Sequence, residues 1–404
     1  MAKILVVAPH PDDEALGAGG VIHRAIQAGN EVRVILMSAG DGFVQDAERY
    51  YLSLHVTPEE YLHLGYERQL ESQRAMAQLG LSPEHVACLG FPDGGLDHLL
   101  LHYGDSLPFE SQTTHQASVP YIHLPSYHTP YTGYHLLNLL IHELKTFQPE
   151  WVVSPILVDQ HPDHWATSAF ATLALLQCQA AHLPWAQSAQ QWGYLIHWTG
   201  WPLPLGYHPE LSMEMPQALK THPFITWYPQ DDYAEQEIQT KRQALLSYDS
   251  QVELIKPFLQ AFARRNEILG KVLPLPWGPR VVLPRPKSVA LPKLIHKDFG
   301  LIGSTWWFDG MQMHALLDLN GRPEWTIRLA SFIFGSDLQF FGAEIKGDVT
   351  REEIQRIDTE RGVELVWSPQ NNAIHGMALM GIVIYDEENK MIARTGFWPW
   401  QSLR

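Results

Sequence analysis

Two short stretches hold most of the side chains that could do chemistry. "HPDDE", His10 to Glu14, sets an imidazole beside three consecutive carboxylates, and far downstream "HPDH", His161 to His164, repeats the H-P-D pattern. His10, Asp13 and His164 together supply two imidazoles and one carboxylate, a set that suits a divalent metal with a position left open for water. The same set suits non-haem iron(II), so the ligand types alone do not choose the metal. A simpler reading has Asp12, Asp13 and Glu14 only capping a helix and complementing its positive end. It leaves His10 unexplained, since a histidine is a poor complement to a helix N-terminus. Either motif alone is weak in a chain with 21 histidines. Their joint placement is more specific, because each follows an expected strand and opens an expected helix.

The elements that must position these residues form a regular alternation. Lys3 to Ala8 reads as a short buried strand and Ala15 to Ala28 as the helix after it. Glu31 to Ser38 gives a second strand ending in the turn "AGDG", Ala39 to Gly42. Arg68 to Leu79 reads as a helix, Val86 to Leu89 as a strand, and "GFPDGG", Gly90 to Gly95, as a loop at that strand's end. Leu136 to Phe147 is helical by spacing, and Trp151 to Leu157 is a strand running into "VDQHPDH", with a further helix from about Ala166. Such repeats imply a mostly parallel sheet covered on both faces, here an α/β class, Rossmann-like, three-layer α/β/α domain. Ligands bind at the carboxyl ends of strands in such sheets, where both H-P-D loops fall. "GAGG", Gly17 to Gly20, fits no phosphate-binding fingerprint placed directly after a strand, and is read as permitting close helix packing.

Composition narrows the rest. At 404 residues the chain suggests two domains, with 45% hydrophobic and 18% charged residues sufficient for a packed interior. A formal charge of -16 disfavours nucleic acid or an anionic membrane as partner. Cys88 and Cys178, the two cysteines, offer neither a disulfide framework nor a metal cluster. The opening strand lacks signal-peptide features and no apolar run is long enough to span a bilayer, so the cytoplasm is the expected location. Homo-oligomerisation is left open. A helical stretch is expected over Glu235 to Leu269. The expected division is a catalytic domain over 1–272, a Pro-rich linker over 273–292 and a β-rich, sandwich-like domain over 293–404. In that tail "LNGRP" and "DEENK" read as turns between paired strands, and its tryptophans as core more than as a sugar-binding surface.

The sequence resembles the PIG-L/LmbE-like superfamily of zinc-dependent N-acetylglucosaminyl deacetylases. "APHPDDEALGAGG" and "HPDH" carry the resemblance, supported by "RQLESQRAMAQLG" (Arg68 to Gly80), "GFPDGGL" (Gly90 to Leu96) and "KRQALLSYDSQ" (Lys241 to Gln251). It implies a hydrolase that removes the N-acetyl group from a small-molecule N-acetylglucosamine conjugate, releasing acetate and a free amine. By that resemblance His10, Asp13 and His164 hold Zn2+, with Fe2+ or another divalent metal as alternatives. Asp12 is the general base, His161 stabilises the oxyanion, and Arg68 and Asp93 contact the sugar. The chemistry accords with the residue types, since an acetamide resists attack until its carbonyl is polarised and water is activated. Asp163 either orients an imidazole or caps its helix, and Glu14 is given only a capping role. A metal-dependent phosphoester hydrolase and a non-catalytic sugar-binding protein are the alternatives. Against the first stands the lack of a basic cluster near either loop, and against the second the retention of Asp12 and His161. The segment Asp97 to Tyr134, rich in Tyr, His and Pro, departs from the family pattern. It either covers the metal crevice and selects the aglycone, or packs on itself as a surface loop.

Overall fold

The computed structural model describes residues 1–278, 280–284, 300–320, 326–334, 338–346, 354–368, 377–386 and 391–401. The chain divides into two compact units, one of residues 1–220 and 226–272, the other of 221–225 and 273–404. The first unit opens with β1 (Lys3–Ala8), α1 (Asp13–Gln27), β2 (Glu31–Ser38), α2 (Val44–Tyr50), α3 (Pro58–Gln78) and β3 (Val86–Phe91). It continues through α4 (Leu96–Leu101), α5 (Gly133–Phe147), β4 (Trp151–Pro155), α6 (Pro162–Ala180), β5 (Gln190–Tyr194) and α7 (Gln217–Lys220). β6 (Ile225–Pro229), α8 (Glu235–Leu245), α9 (Asp249–Gln260) and β7 (Ile268–Val272) follow.

The apolar runs of β1 and β2 are buried on both sides, as a central parallel strand requires. The sheet runs β3-β2-β1-β4-β5-β7-β6, parallel from β3 through β5, with β7 antiparallel to β5 through Gly193 and Gly270. Helices α1, α2, α3, α8 and α9 pack among themselves, and α4, α5 and α6 form a second group. Strand order reverses between β1 and β4, the place where an open parallel sheet leaves a crevice.

Local signals account for most boundaries. α3 begins earlier than expected, at Pro58, because Thr57 and Glu60 form a reciprocal capping box. α6 begins at Pro162, whose missing N–H suits a first helical position. A β-carbon on Gly17 would fall inside the Tyr194 ring of β5, so that glycine brings α1 onto the sheet. The expected helical stretch from Glu235 to Leu269 is instead two helices and the strand β7. Pro257 and the non-helical backbone of Ile255 bend α9, and the chain extends again at Ile268.

"KRQALLSYDSQ" is a set of fastenings. Lys241 donates to Leu16 O and to Glu267, whose carboxylate also accepts the amides of Gly20 and Val21 within α1. Tyr248 bonds Glu14 at 2.7 Å, Ser250 bonds Glu71 of α3, and Gln251 bonds Asp46 of α2 at 2.6 Å.

The second unit is β-rich. One sheet is β14 (Ile354–Thr359), β15 (Gly362–Trp367), β11 (Met313–Asn320), β10 (Gly300–Phe308) and β9 (Val281–Pro284), in that order. The other is β13 (Leu338–Lys346), β12 (Thr326–Phe334), β16 (Met377–Tyr385), β18 (Trp398–Gln401) and β8 (Leu275–Pro276), with β17 (Met391–Arg394) also pairing β16. Trp306 lies against both Trp367 and Trp400, joining the two sheets in one core. Trp306, Trp367, Trp398 and Trp400 are buried, as a core role predicts, whereas Trp307 is half-buried and stacks on His314.

Two expectations need correction here. Within the Pro-rich segment 273–292, Leu275–Pro276 and Val281–Pro284 are paired strands rather than free linker. Both stand at sheet edges, where a proline costs no ladder hydrogen bond. The strands flanking "LNGRP", β11 and β12, belong to different sheets and form no hairpin, whereas β16 and β17 around "DEENK" do pair. Residues 321–325 and 387–390 of those turns lie outside the described residues. Among the described residues no helix is long and apolar enough to cross a membrane.

Candidate active site

At the carboxyl end of β1 the chain turns sharply and delivers His10, Asp12 and Asp13 to the crevice. Asp12 adopts φ 120°, a conformation uncommon outside glycine and a sign of local strain. Its amide donates to Glu14 Oε2 at 3.1 Å, and Arg68 Nη2 holds the neighbouring Pro11 O at 2.7 Å. Glu14 therefore does more than cap. It is fully buried and also accepts from Ser72 and Tyr248, fixing the loop to α3 and to the start of α9.

The two H-P-D loops meet. Asp13 Oδ2 lies 3.1 Å from His10 Nδ1 and 3.2 Å from His164 Nε2, and all three residues are buried. The remaining nitrogen of each imidazole faces carboxylates. His10 Nε2 is 3.0 Å from Asp163 Oδ2 and 3.1 Å from Asp93 Oδ1, and His164 Nδ1 is 3.3 Å from Asp159 Oδ2. These carboxylates are themselves anchored. Asp163 accepts the amides of Gly94 and Leu96, Asp93 that of Gly42, and Asp159 those of His161, Ile196 and His197. An imidazole whose outer nitrogen faces a fixed carboxylate has its orientation and tautomer set, the usual surroundings of a metal-binding histidine.

These residues fit a divalent cation. Neither ring nitrogen of buried His164 makes a hydrogen bond among the described residues, although both face carboxylates. Burial opposes a charged imidazole there, yet Asp13 and Asp159 push the His164 pKa up to about 10, so the position attracts positive charge. His10, His161 and Asp163 form a second group close enough to share an ion. It is the poorer candidate, because both Asp163 oxygens accept backbone amides and His161 Nδ1 accepts the amide of Asp163.

The remaining expected residues separate by what they touch. The Asp12 carboxylate lines the cavity and meets Arg68 Nη2 at 3.5 Å. Burial and the adjacent Asp13 charge raise its pKa well above the ordinary value. His161 caps α6, accepting at Nδ1, so its proton sits on Nε2. Burial and the nearby His164, His10 and His197 push its pKa down to about 3, which keeps the ring neutral at pH 7. Arg68 is buried and binds the carbonyls of Gly40 and Pro11 at 2.7 Å each. Its Nη1 presses on Gly40, a residue with positive φ where a side chain would collide. It thus ties the two loops flanking the crevice, its terminal nitrogens bonding main chain while Nη2 also faces the Asp12 carboxylate.

The cavity enclosing these groups measures about 530 Å³. Residues not expected from the sequence also line it: His197, Phe43, Val44, Gln45, Gln251, Ile255 and Phe258. His197 stands edge-on to His164 with ring centres 4.5 Å apart, its pKa pushed down to about 4 by burial and by His164. None of the lining residues comes from 97–134. The lining thus gives no support to the covering role weighed for that segment. Its buried Tyr121 and Tyr131 instead bond Asp41 and Gly90 O, packing the segment over β3. Asp159 carried a legible signal, two residues before His161 in "VDQHPDH". His197 follows β5 with no motif to mark it.

Comparison with known proteins comes out as the sequence motifs predict. Residues 5–175 match the PIG-L family, described as GlcNAc-PI de-N-acetylase. The 1D-myo-inositol 2-acetamido-2-deoxy-alpha-D-glucopyranoside deacetylases of Mycobacterium sp. strains KMS and JLS are each 30% identical over 179 residues, 44% of this chain and 51% of theirs. The chain thus spans about half the length of the curated relatives it matches. Among solved structures, a conserved protein of Thermus thermophilus is 25% identical, covering 68% of this chain and 95% of that one, with a TM-score of 0.39. The N,N'-diacetylchitobiose deacetylase of Pyrococcus horikoshii is 18% identical over 66% of this chain and 82% of its own, also with a TM-score of 0.39.

Proposed function

We propose, proceeding from the PIG-L match of residues 5–175, that this protein is a divalent-metal-dependent amide hydrolase. On this reading, with zinc as the expected metal, it removes the N-acetyl group from an N-acetylglucosamine-containing conjugate, releasing acetate and a free amine. The observation supporting it is that His10 and Asp13 of the His10–Asp13–His164 cluster line one cavity together with a carboxylate, Asp12, and a neutral imidazole, His161, that the ligand set does not use. When bound, the metal would supply Lewis acidity to the amide carbonyl and acidify water toward pKa ~7.

The protein's own groups account for the remaining steps. Asp12 accepts the proton of the attacking water and returns it to the departing nitrogen, a role open to it because it lines the cavity without joining the ligand set. His161 donates from Nε2 to the carbonyl oxygen as negative charge develops there. Asp93, Asp159 and Asp163 hold the ligand imidazoles, and Arg68 fixes the loop that aims Asp12. A phosphoester substrate is disfavoured, because Arg68 is the lining cation and it is already bonded to two carbonyls.

An acetate-release screen over N-acetylglucosamine conjugates, run with metal-loaded and chelator-treated protein, tests the reading. Release should be abolished by chelation and restored by one equivalent of Zn2+ per chain. Release unaffected by chelation that strips the metal, or none from any conjugate, would overturn it.

A further inference from the structure

The cavity is chemically two-sided. One side is the cluster of histidines and aspartates at the strand ends, and the other is mostly apolar, with Gln45 and Gln251 among its residues. Phe43 and Val44 at the start of α2 form part of the apolar side. Ile255 and Phe258 complete it from α9, where, with Gln251, they follow helical spacing i, i+4, i+7. The bend at Ile255 and Pro257 interrupts α9 within this face. Phe258 stacks on His197, with ring centres 6.0 Å apart and planes 16° apart, so the apolar wall begins beside the polar cluster. Val44 is 39% exposed although it lines the cavity, which places the wall's outer end at the surface.

Size and charge then constrain what lies along that wall. A cavity of roughly 150 Å³ suffices for a single six-membered ring. At about 530 Å³ this one has room for an amino sugar and a substituent. With the acetamide at the histidines, the rest of the substrate must extend toward α2 and α9. No lysine lines the cavity, Arg68 bonds two carbonyls and faces Asp12, and three aspartates, Asp12, Asp13 and Asp93, share the lining. Beside α2 and α9 the lining polar side chains are the uncharged Gln45 and Gln251, with no cation to pair a phosphate or carboxylate substituent, whereas an alkyl or aryl group would find Phe43, Val44, Ile255 and Phe258.

We infer that the wall formed by the first turn of α2 and the inner face of α9 is a subsite for a neutral, apolar aglycone on the amino sugar. This rests on the deacetylase reading and narrows its substrate class. The wall selects glycosides whose substituent buries apolar surface and discriminates against acidic conjugates.

A homologous series tests it. The zinc-loaded protein is given methyl, butyl and octyl β-glycosides of N-acetylglucosamine and a 2-carboxyethyl glycoside, at concentrations below micelle formation. The value of kcat/KM should rise roughly two- to fourfold per methylene over the first few carbons, as burial of each CH₂ predicts. The acidic glycoside should fall at least tenfold below the butyl. Val44→Ser, at a partly exposed position that does not endanger folding, and Ile255→Ser should each lower the octyl-to-methyl ratio at least threefold. A flat series, a preference for the acidic glycoside, or an unchanged ratio in both variants overturns the inference. Calorimetric binding of the same glycosides reads the wall independently of turnover. Absence of acetate release with octyl bound more tightly than methyl would end the deacetylase reading and leave the subsite standing, and equal binding would end the subsite.

Discussion

At the scale of single residues, adjacent aspartates hold different positions, and substitution should separate them. Asp12 lines the cavity without joining the three-residue cluster, whereas Asp13 Oδ2 sits between two imidazoles. Asp12→Asn should fold normally, because asparagine tolerates the positive φ found there better than most residues. Its metal content should equal that of the wild type while acetate release falls roughly 10²- to 10⁴-fold, the usual worth of a positioned general base. Asp13→Asn removes an anionic ligand, so metal content should fall on dialysis and activity should partly return with excess Zn2+. Near-normal turnover in Asp12→Asn would sink the mechanism whatever the metal content. Much of this cluster was legible because each H-P-D loop carries its chemistry in consecutive residues. His197, Ile255 and Phe258 were not, since an isolated histidine or apolar residue has the same appearance in a sequence whether it faces a core or a cavity.

Secondary-structure elements were legible where one signal acted alone. β1 and β2 are unbroken apolar runs, and α5 has clean helical spacing with Thr132 as its cap. α9 and β7 were lost because Pro257 interrupts a stretch whose spacing otherwise continues, and β5, "QQWGY", offers neither an apolar run nor an alternation. The fastening of α8 to α1 lies wholly beyond local pattern, as Lys241 and Glu267 meet only in the fold. Their pair is buried, with side chains 2% and 3% exposed, and it bonds the backbone of α1 at Leu16, Gly20 and Val21. Removing one partner leaves a buried charge uncompensated, so Lys241→Met should cost about 3–5 kcal/mol in denaturant unfolding. Lys241→Met combined with Glu267→Gln should recover part of that loss, because the stranded carboxylate becomes neutral. Additive losses in the double variant would show that packing, not charge pairing, holds α8 on α1.

At the scale of the whole molecule, a net charge of -16 is accompanied by carboxyl groups buried among apolar residues, and the two facts make stability depend on pH. Asp41 is the clearest case. Burial, and then the negative charge of Asp93, push its pKa from the ordinary 3.8 up to about 7, despite the hydrogen bond from Tyr121. Asp46 moves the same way, up to about 6, chiefly through burial. The sign follows from proton counts. Between pH 4 and pH 7 the folded chain keeps a proton on Asp41 that the unfolded chain has released, so raising the pH favours unfolding. Stability from this group is full below pH 4, declines through the window and levels off above pH 7. The total for Asp41 is about 4 kcal/mol, from some three pH units at 1.36 kcal/mol each. Asp41→Asn keeps an acceptor for Tyr121 and cannot ionise. Thermal midpoints of the two proteins, both metal-loaded, should therefore cross, or part from equality, as the pH rises from 5 to 8. At pH 5 the wild type should be the more stable or equal. At pH 8 the variant should lead by several degrees, given roughly 2–4 °C per kcal/mol for a unit of this size. Parallel curves, with the same difference in midpoint at every pH, would show that Asp41 does not titrate in this window and that its carboxylate is accommodated charged in the interior.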